Sequence, residues 1–160
     1  MVMKECLNCF VYAAALGVVA FFLGRLVPKR WLCPDRFPFR TYAWEEPIWK
    51  ALRIRRWQAK APDMSRIFKT LMPAKKLTRQ TAADLPLMIS ETCVAELTHG
   101  LLCLAGLALP RIWPGAGGIT LCVIYILFGN LPFLLIQRYN RPRLQKLLAR
   151  QQSRASRKEA

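Results

Sequence analysis

One histidine, His99, and nine carboxylates set against 25 lysines and arginines leave this chain few groups for acid–base chemistry. There is no glycine-rich phosphate loop, no serine nucleophile elbow and no HExxH pair, which removes the usual signatures of nucleotide hydrolysis, serine-type acyl transfer and zinc proteolysis. Glu96 and His99 form an ExxH, half of a helical di-iron site, but the second ExxH that such sites draw from another helix is missing. Only a homodimer would supply it. None of the named nucleic-acid-binding folds is present either, although basic and aromatic residues are plentiful.

What the chain has instead is apolar length. Its 160 residues are 54% hydrophobic yet carry a net charge of +16, an unusual pairing for a soluble globule. Segregation explains it, because the apolar residues lie in long runs with the basic residues between them. Leu7 to Gly24 has Asn8 as its only strongly polar residue, and Leu26 and Val27 extend it past an Arg25 that can snorkel. Positive charge follows this run at Arg25, Lys29 and Arg30, while Lys4 ahead of it is offset by Glu5, so a retained anchor is expected over a cleaved signal peptide. A second run, Cys93 to Trp113, breaks at Pro110, and a third spans Gly118 to Gln137.

The expected fold is therefore an all-α integral membrane protein, a single membrane domain. Its three transmembrane helices fall near 7–27, 93–113 and 118–137, with an interfacial segment over 28–92 and a basic tail from 138 to 160. The segment Pro28 to Thr92 holds 14 Lys and Arg and the tail from Arg138 holds 8, against Arg111 alone in the turn between spans two and three. Positively charged loops stay cytoplasmic, so the amino terminus is expected outside and both basic segments inside.

The stretch Ile89 to His99 leads into span two carrying Glu91, Glu96 and His99. At about 100° per residue these three lie near 0°, 140° and 80° around a helix, with the imidazole between the acids. Ionisable groups at the edge of a span are costly and usually face a polar cavity or a partner. The competing reading is a solvated helix end with a hydrogen-bonded structural histidine. Span three returns carrying Asn130, Pro132 and Gln137. His99 and Asn130 both lie on the order of 10 Å deep from the cytoplasmic ends of antiparallel neighbours, so they are expected to meet.

In the interfacial segment Trp44, Trp49, Leu52 and Trp57 are interleaved with Lys50, Arg53, Arg55, Arg56 and Lys60, a mixture suited to the headgroup boundary. A shorter amphipathic piece follows at Ile67, Phe68, Leu71 and Met72. Glu45 and Glu46 stand out there, and pairing with neighbouring arginines is their default expectation. The six cysteines, mostly inside or beside apolar runs, read as small core residues.

The run Gln137-Arg138-Tyr139-Asn140-Arg141-Pro142-Arg143-Leu144, preceded by Asn130 and Pro132, resembles the carboxy-terminal signature of the glycosyl-diaponeurosporenoate acyltransferases, small membrane enzymes of staphyloxanthin biosynthesis. Glu91-Thr92, Ala95-Glu96-Leu97 and His99 resemble that family's ET..AEL.H segment, and Trp57, Lys60 and Asp63 its W..K..D stretch. Pro28 after the first span and Glu45 after an aromatic residue match as well. Departures lie in the first span, between Glu45 and Trp57, and in the tail after Leu148. The resemblance implies transfer of a fatty acyl group to a sugar hydroxyl of a glycosylated carotenoid acid at the cytoplasmic membrane.

Moving an acyl group from a thioester to an alcohol needs a base, something to orient that base, and donors for the developing oxyanion. His99 is the candidate base, with Glu96 or Glu91 to orient it and Asn130 or Tyr139 to donate to the oxyanion. Gln137, Asn140 and Glu45 complete the expected substrate site. Arg138, Arg141 and Arg143 are expected to hold the phosphates of acyl-CoA or an acidic acyl carrier, with topology and lipid anchoring as their alternative use. The expected partners are the bilayer, a lipid or glycolipid acceptor and an acyl thioester donor, without nucleic acid, metal or resident cofactor. The second hypothesis is a metal-binding or non-catalytic membrane protein in which Glu91, Glu96 and His99 hold Zn or Fe.

Overall fold

Backbone amides that lie in lipid have no water to bond, and a helix satisfies them within one segment. The computed structural model describes residues 2–61 and 84–159, and the regular elements among them are helices, with no strand. Three helices are long and apolar enough to cross a membrane: Val2–Leu26, Leu85–Ile112 and Ala116–Arg157. Helix α1, Val2–Leu26, has 25 residues and so runs about 37 Å at 1.5 Å per residue. Leu7, Phe10, Val18 and Phe22 on it are exposed, the mark of a surface meant for lipid.

The chain divides into two compact units, one of Met1–Leu32 with Val94–Leu135 and the other of Cys33–Cys93 with Ile136–Ala160. In the first unit α1 runs antiparallel to α4, Leu85–Gly106: the Tyr12 hydroxyl donates to the Ala105 carbonyl at 3.0 Å, and Gly24 lies beside Val94 and Thr98. Cys9, Leu109 and Cys122 form the buried centre, packed by Tyr12, Trp113, Leu121 and Tyr125. Cys6 and Cys9 have C-x-x-C spacing, yet both are free thiols on α1, and Cys9 is simply a small core residue.

Helix α4 ends at Gly106, ahead of the expected break at Pro110, and α5, Leu109–Ile112, takes Pro110 into its first turn, where a missing N–H costs nothing. A Cβ at Gly106 would sit 2.7 Å from Tyr125 Cδ1, so the close approach of α4 to the third helix requires glycine there. Gly115, at φ 102, turns the chain into α6, Ala116–Ile124. A π-helical stretch, Tyr125–Asn130, then joins α6 to α7, Leu131–Glu159. Pro132 lacks the donor a regular turn needs and its ring crowds the carbonyl four residues back, so a widened turn before it relieves both problems.

The second unit contains α2, Glu45–Ala51, and α3, Ile54–Trp57, separated by Arg53 in the left-handed region at φ 50. Span two starts earlier than its apolar run, at Leu85 instead of Cys93, because Leu85 and Ile89 bury with Leu144 against Met88 and Leu148. The basic tail is likewise helical, with α7 continuing through Pro142 to Glu159. Of the tryptophans assigned to the headgroup boundary, Trp44 is exposed, whereas Trp49 packs perpendicular to Tyr139 and Trp57 Nε1 donates to the Leu52 carbonyl. The amphipathic piece around Ile67 to Met72, and Asp63, lie outside the described residues.

Candidate active site

In the first unit the expected meeting of His99 and Asn130 is present: His99 Nδ1 lies 3.0 Å from Asn130 Oδ1. The same register runs along both helices, with Gly106 facing Tyr125 and Gly100 facing Leu134. The Asn130 amide is oriented by its other end, because Nδ2 donates to the Tyr125 carbonyl at 3.0 Å, across the π-helical stretch. With the amide nitrogen committed there, oxygen must face the imidazole. Nδ1 is then the protonated nitrogen in the neutral ring, and the lone pair sits on Nε2. Asn130 is buried, at 3% exposure, which holds this arrangement away from water. Phe133, one turn further along, stacks on the imidazole with ring centres 5.0 Å apart and planes 15° from parallel.

The partner seen at His99 Nδ1 is thus an amide. Glu96, three residues before His99 on α4, is buried, and Glu91 is half-buried. Among the described residues, no three His, Cys, Asp or Glu side chains come together in a way that could hold a metal ion.

In the second unit the arginines of the QRYNRPRL run divide sharply. Arg138 grips Glu45 with two parallel bonds, Nε to Oε2 and Nη2 to Oε1, both at 2.7 Å. It also donates to the carbonyls of Pro38 and Arg40, each at 3.0 Å. Glu45 accepts a third bond from the Tyr42 N–H at 2.9 Å. Burial alone would raise the Glu45 carboxyl, but the bonds from Arg138 and Tyr42 and the charges of Arg138 and Arg141 outweigh it and hold the group below its ordinary range. The pairing default for Glu45 therefore prevails.

Arg141 is fully buried. Its Nε donates to Thr92 Oγ1 at 2.9 Å, Nη2 to the Thr92 carbonyl at 3.2 Å and Nη1 to the Phe39 carbonyl, while the guanidinium lies over the Phe39 ring. A group so enclosed is a clamp between distant segments and does not present itself to a phosphate in water. Tyr139 is buried too, between the perpendicular ring of Trp49 and the guanidinium of Arg143, whose central carbon is 3.3 Å from the ring centre. Gln137 and Asn140 are half-buried on the same helix. Sequence reading missed Phe133, Phe39 and the carbonyls of Pro38 and Arg40. Phe133 had a signal in its three-residue spacing from Asn130, whereas backbone acceptors carry none.

Fold and geometry together define an all-helical membrane protein whose one imidazole is set by a buried amide. The family model described as glycosyl-4,4'-diaponeurosporenoate acyltransferase matches residues 28–150, and the chain belongs to this family; it is an acyltransferase. A protein of Staphylococcus aureus (strain bovine RF122 / ET3-1) named glycosyl-4,4'-diaponeurosporenoate acyltransferase is 26% identical over 151 residues, covering 91% of this chain and 88% of its own length. Proteins of the same name from strains MRSA252 and USA300 are similar to the same extent. No solved structure matches the chain.

Proposed function

We propose that the chain transfers a fatty acyl group from an acyl thioester to a sugar hydroxyl of a glycosylated lipid resembling a glycosyl-carotenoid acid, at the cytoplasmic leaflet, with His99 as general base. The observation that carries this reading is the His99–Asn130 contact of 3.0 Å, with the amide held by the Tyr125 carbonyl. It leaves Nε2 as the nitrogen that accepts the hydroxyl proton. The sugar oxygen then forms a bond to the thioester carbonyl carbon, the carbon–sulfur bond breaks, and the departing thiolate takes the proton back from the imidazolium. Asn130 serves as the orienting group in this scheme, so its use as an oxyanion donor is set aside. An apolar acceptor enters from lipid and a charged donor from the aqueous side, which suits a multi-pass arrangement with both basic segments in the cytoplasm.

Acyl transfer by the full-length protein in detergent, from an acyl thioester to a glycosylated carotenoid acid, tests the assignment. His99→Ala is expected to lower the rate about 10²- to 10⁴-fold. Asn130→Ala is expected to lower kcat by about tenfold or more with little change in KM, because the imidazole keeps its place but loses control of its tautomer. Near-normal turnover in His99→Ala would return the histidine to a structural role.

A further inference from the structure

The second unit contains an open cleft of about 610 Å³, within the size range of sites for small ligands. Arg53, Arg55, Arg56, Arg143 and Lys146 line it together with Trp49. The acid on its wall, Glu46, is occupied by Lys50 at 2.9 Å. Among the described residues Arg53, Arg55, Arg56 and Lys146 make no ion pair. Gathering cations on one concave surface costs self-repulsion that an anion removes. The turn into the Arg55–Arg56 pair is made by Arg53 at φ 50, a conformation that a non-glycine residue rarely holds without a reason. Arg143 is held over the Tyr139 ring, which removes much of its rotamer freedom before any ligand arrives.

Charge alone would suit any phosphate. The cleft also offers aromatic surface, Tyr42 and Trp49, beside the cations. A ligand with several phosphates and one flat ring meets the cations and stacks on an aromatic face at once, whereas a lipid headgroup brings phosphate without a ring to stack. We infer that this cleft binds the adenosine-phosphate portion of a coenzyme A thioester, so that the acyl donor is a nucleotide. This rests on the acyl-transfer reading above and names the donor class for it. Of the arginines in the QRYNRPRL run, Arg143 is the one the geometry assigns to phosphate, joined by Arg55, Arg56 and Lys146 from outside that run.

The test is equilibrium binding of coenzyme A and of adenosine 3',5'-diphosphate to the full-length protein in detergent, with phosphatidylglycerol vesicles as a separate arm. Both nucleotides are expected to bind, more weakly as salt rises, and the triple change Arg55→Gln, Arg56→Gln, Lys146→Gln is expected to weaken binding by tenfold or more, at about tenfold for one good charged contact. Trp49→Ala, which leaves every charge in place, should weaken the nucleotides without altering vesicle binding. No nucleotide binding, or binding indifferent to the triple change, overturns the inference. Cleft-dependent binding of the vesicles alone makes the cleft a headgroup site and overturns it as well. Coenzyme A binding by a protein with no transferase activity would sustain the cleft while sinking the proposed reaction. Full-rate transfer by the triple variant would do the reverse.

Discussion

Arg141 shows how little a residue's type says about its use. An arginine two places from Tyr139 in a basic run reads as a phosphate ligand, but its guanidinium is enclosed and bonded to Thr92 and Phe39. Removing it strands buried acceptors that water cannot reach. Arg141→Ala is therefore expected to destabilise the protein by about 3 kcal/mol or more and to lower its yield in membranes, where a phosphate ligand would only raise the donor concentration needed for half-maximal rate. Arg141→Lys should rescue poorly, since one ammonium cannot serve acceptors spread around a planar fork. Thermal unfolding in detergent, read beside KM for the donor, separates the two roles.

At the level of elements, the ion pair between Glu45 at the start of α2 and Arg138 on α7 ties two segments that lie 93 residues apart in the chain. The folded Glu45 carboxyl titrates below its ordinary value, so it binds a proton less readily in the native state than in the unfolded one. Its contribution is present above the unfolded value near pH 4.3 and is lost as pH falls through the lower, folded value. Melting temperature measured from pH 7 downward should fall across that acid range. In Glu45→Gln that Glu45-linked fall should be missing and the starting stability lower, by roughly 3 kcal/mol for a buried pair left with one partner. An equal acid response in wild type and variant would show that other carboxylates set it. The π-helical stretch is the other decisive element, because it places the Tyr125 carbonyl where Asn130 Nδ2 reaches it and so orients the amide that faces His99.

For the molecule as a whole, the distribution of charge predicts orientation. With 14 and 8 basic residues in the two segments read as cytoplasmic and Arg111 alone in the turn, the segment near Pro114 should lie outside. A single cysteine placed at Pro114, in a chain whose native cysteines are replaced, should react with an impermeant thiol reagent added to intact cells. Labelling only after the cytoplasmic side is opened would invert the arrangement and remove the cytoplasmic donor with it.

Local composition settled the helical class and the three apolar segments, because the free energy of placing a residue in lipid depends mainly on its own side chain and depth. It also brought His99 and Asn130 together, since equal depth on helices joined by a short turn leaves few other partners. Helix ends were less legible: α4 begins at Leu85 because Leu144 and Leu148 cover its first turns, and those residues are far along the chain. The division of the arginines was beyond reach of the sequence altogether. Arg138 and Arg141 meet Glu45, Thr92 and Phe39, which are 93, 49 and 102 residues away, while Arg143 lines an open cleft. Three identical side chains within six positions differ only in what the folded chain brings to them, and burial against distant partners, not residue type, decides which is a clamp and which can meet a ligand.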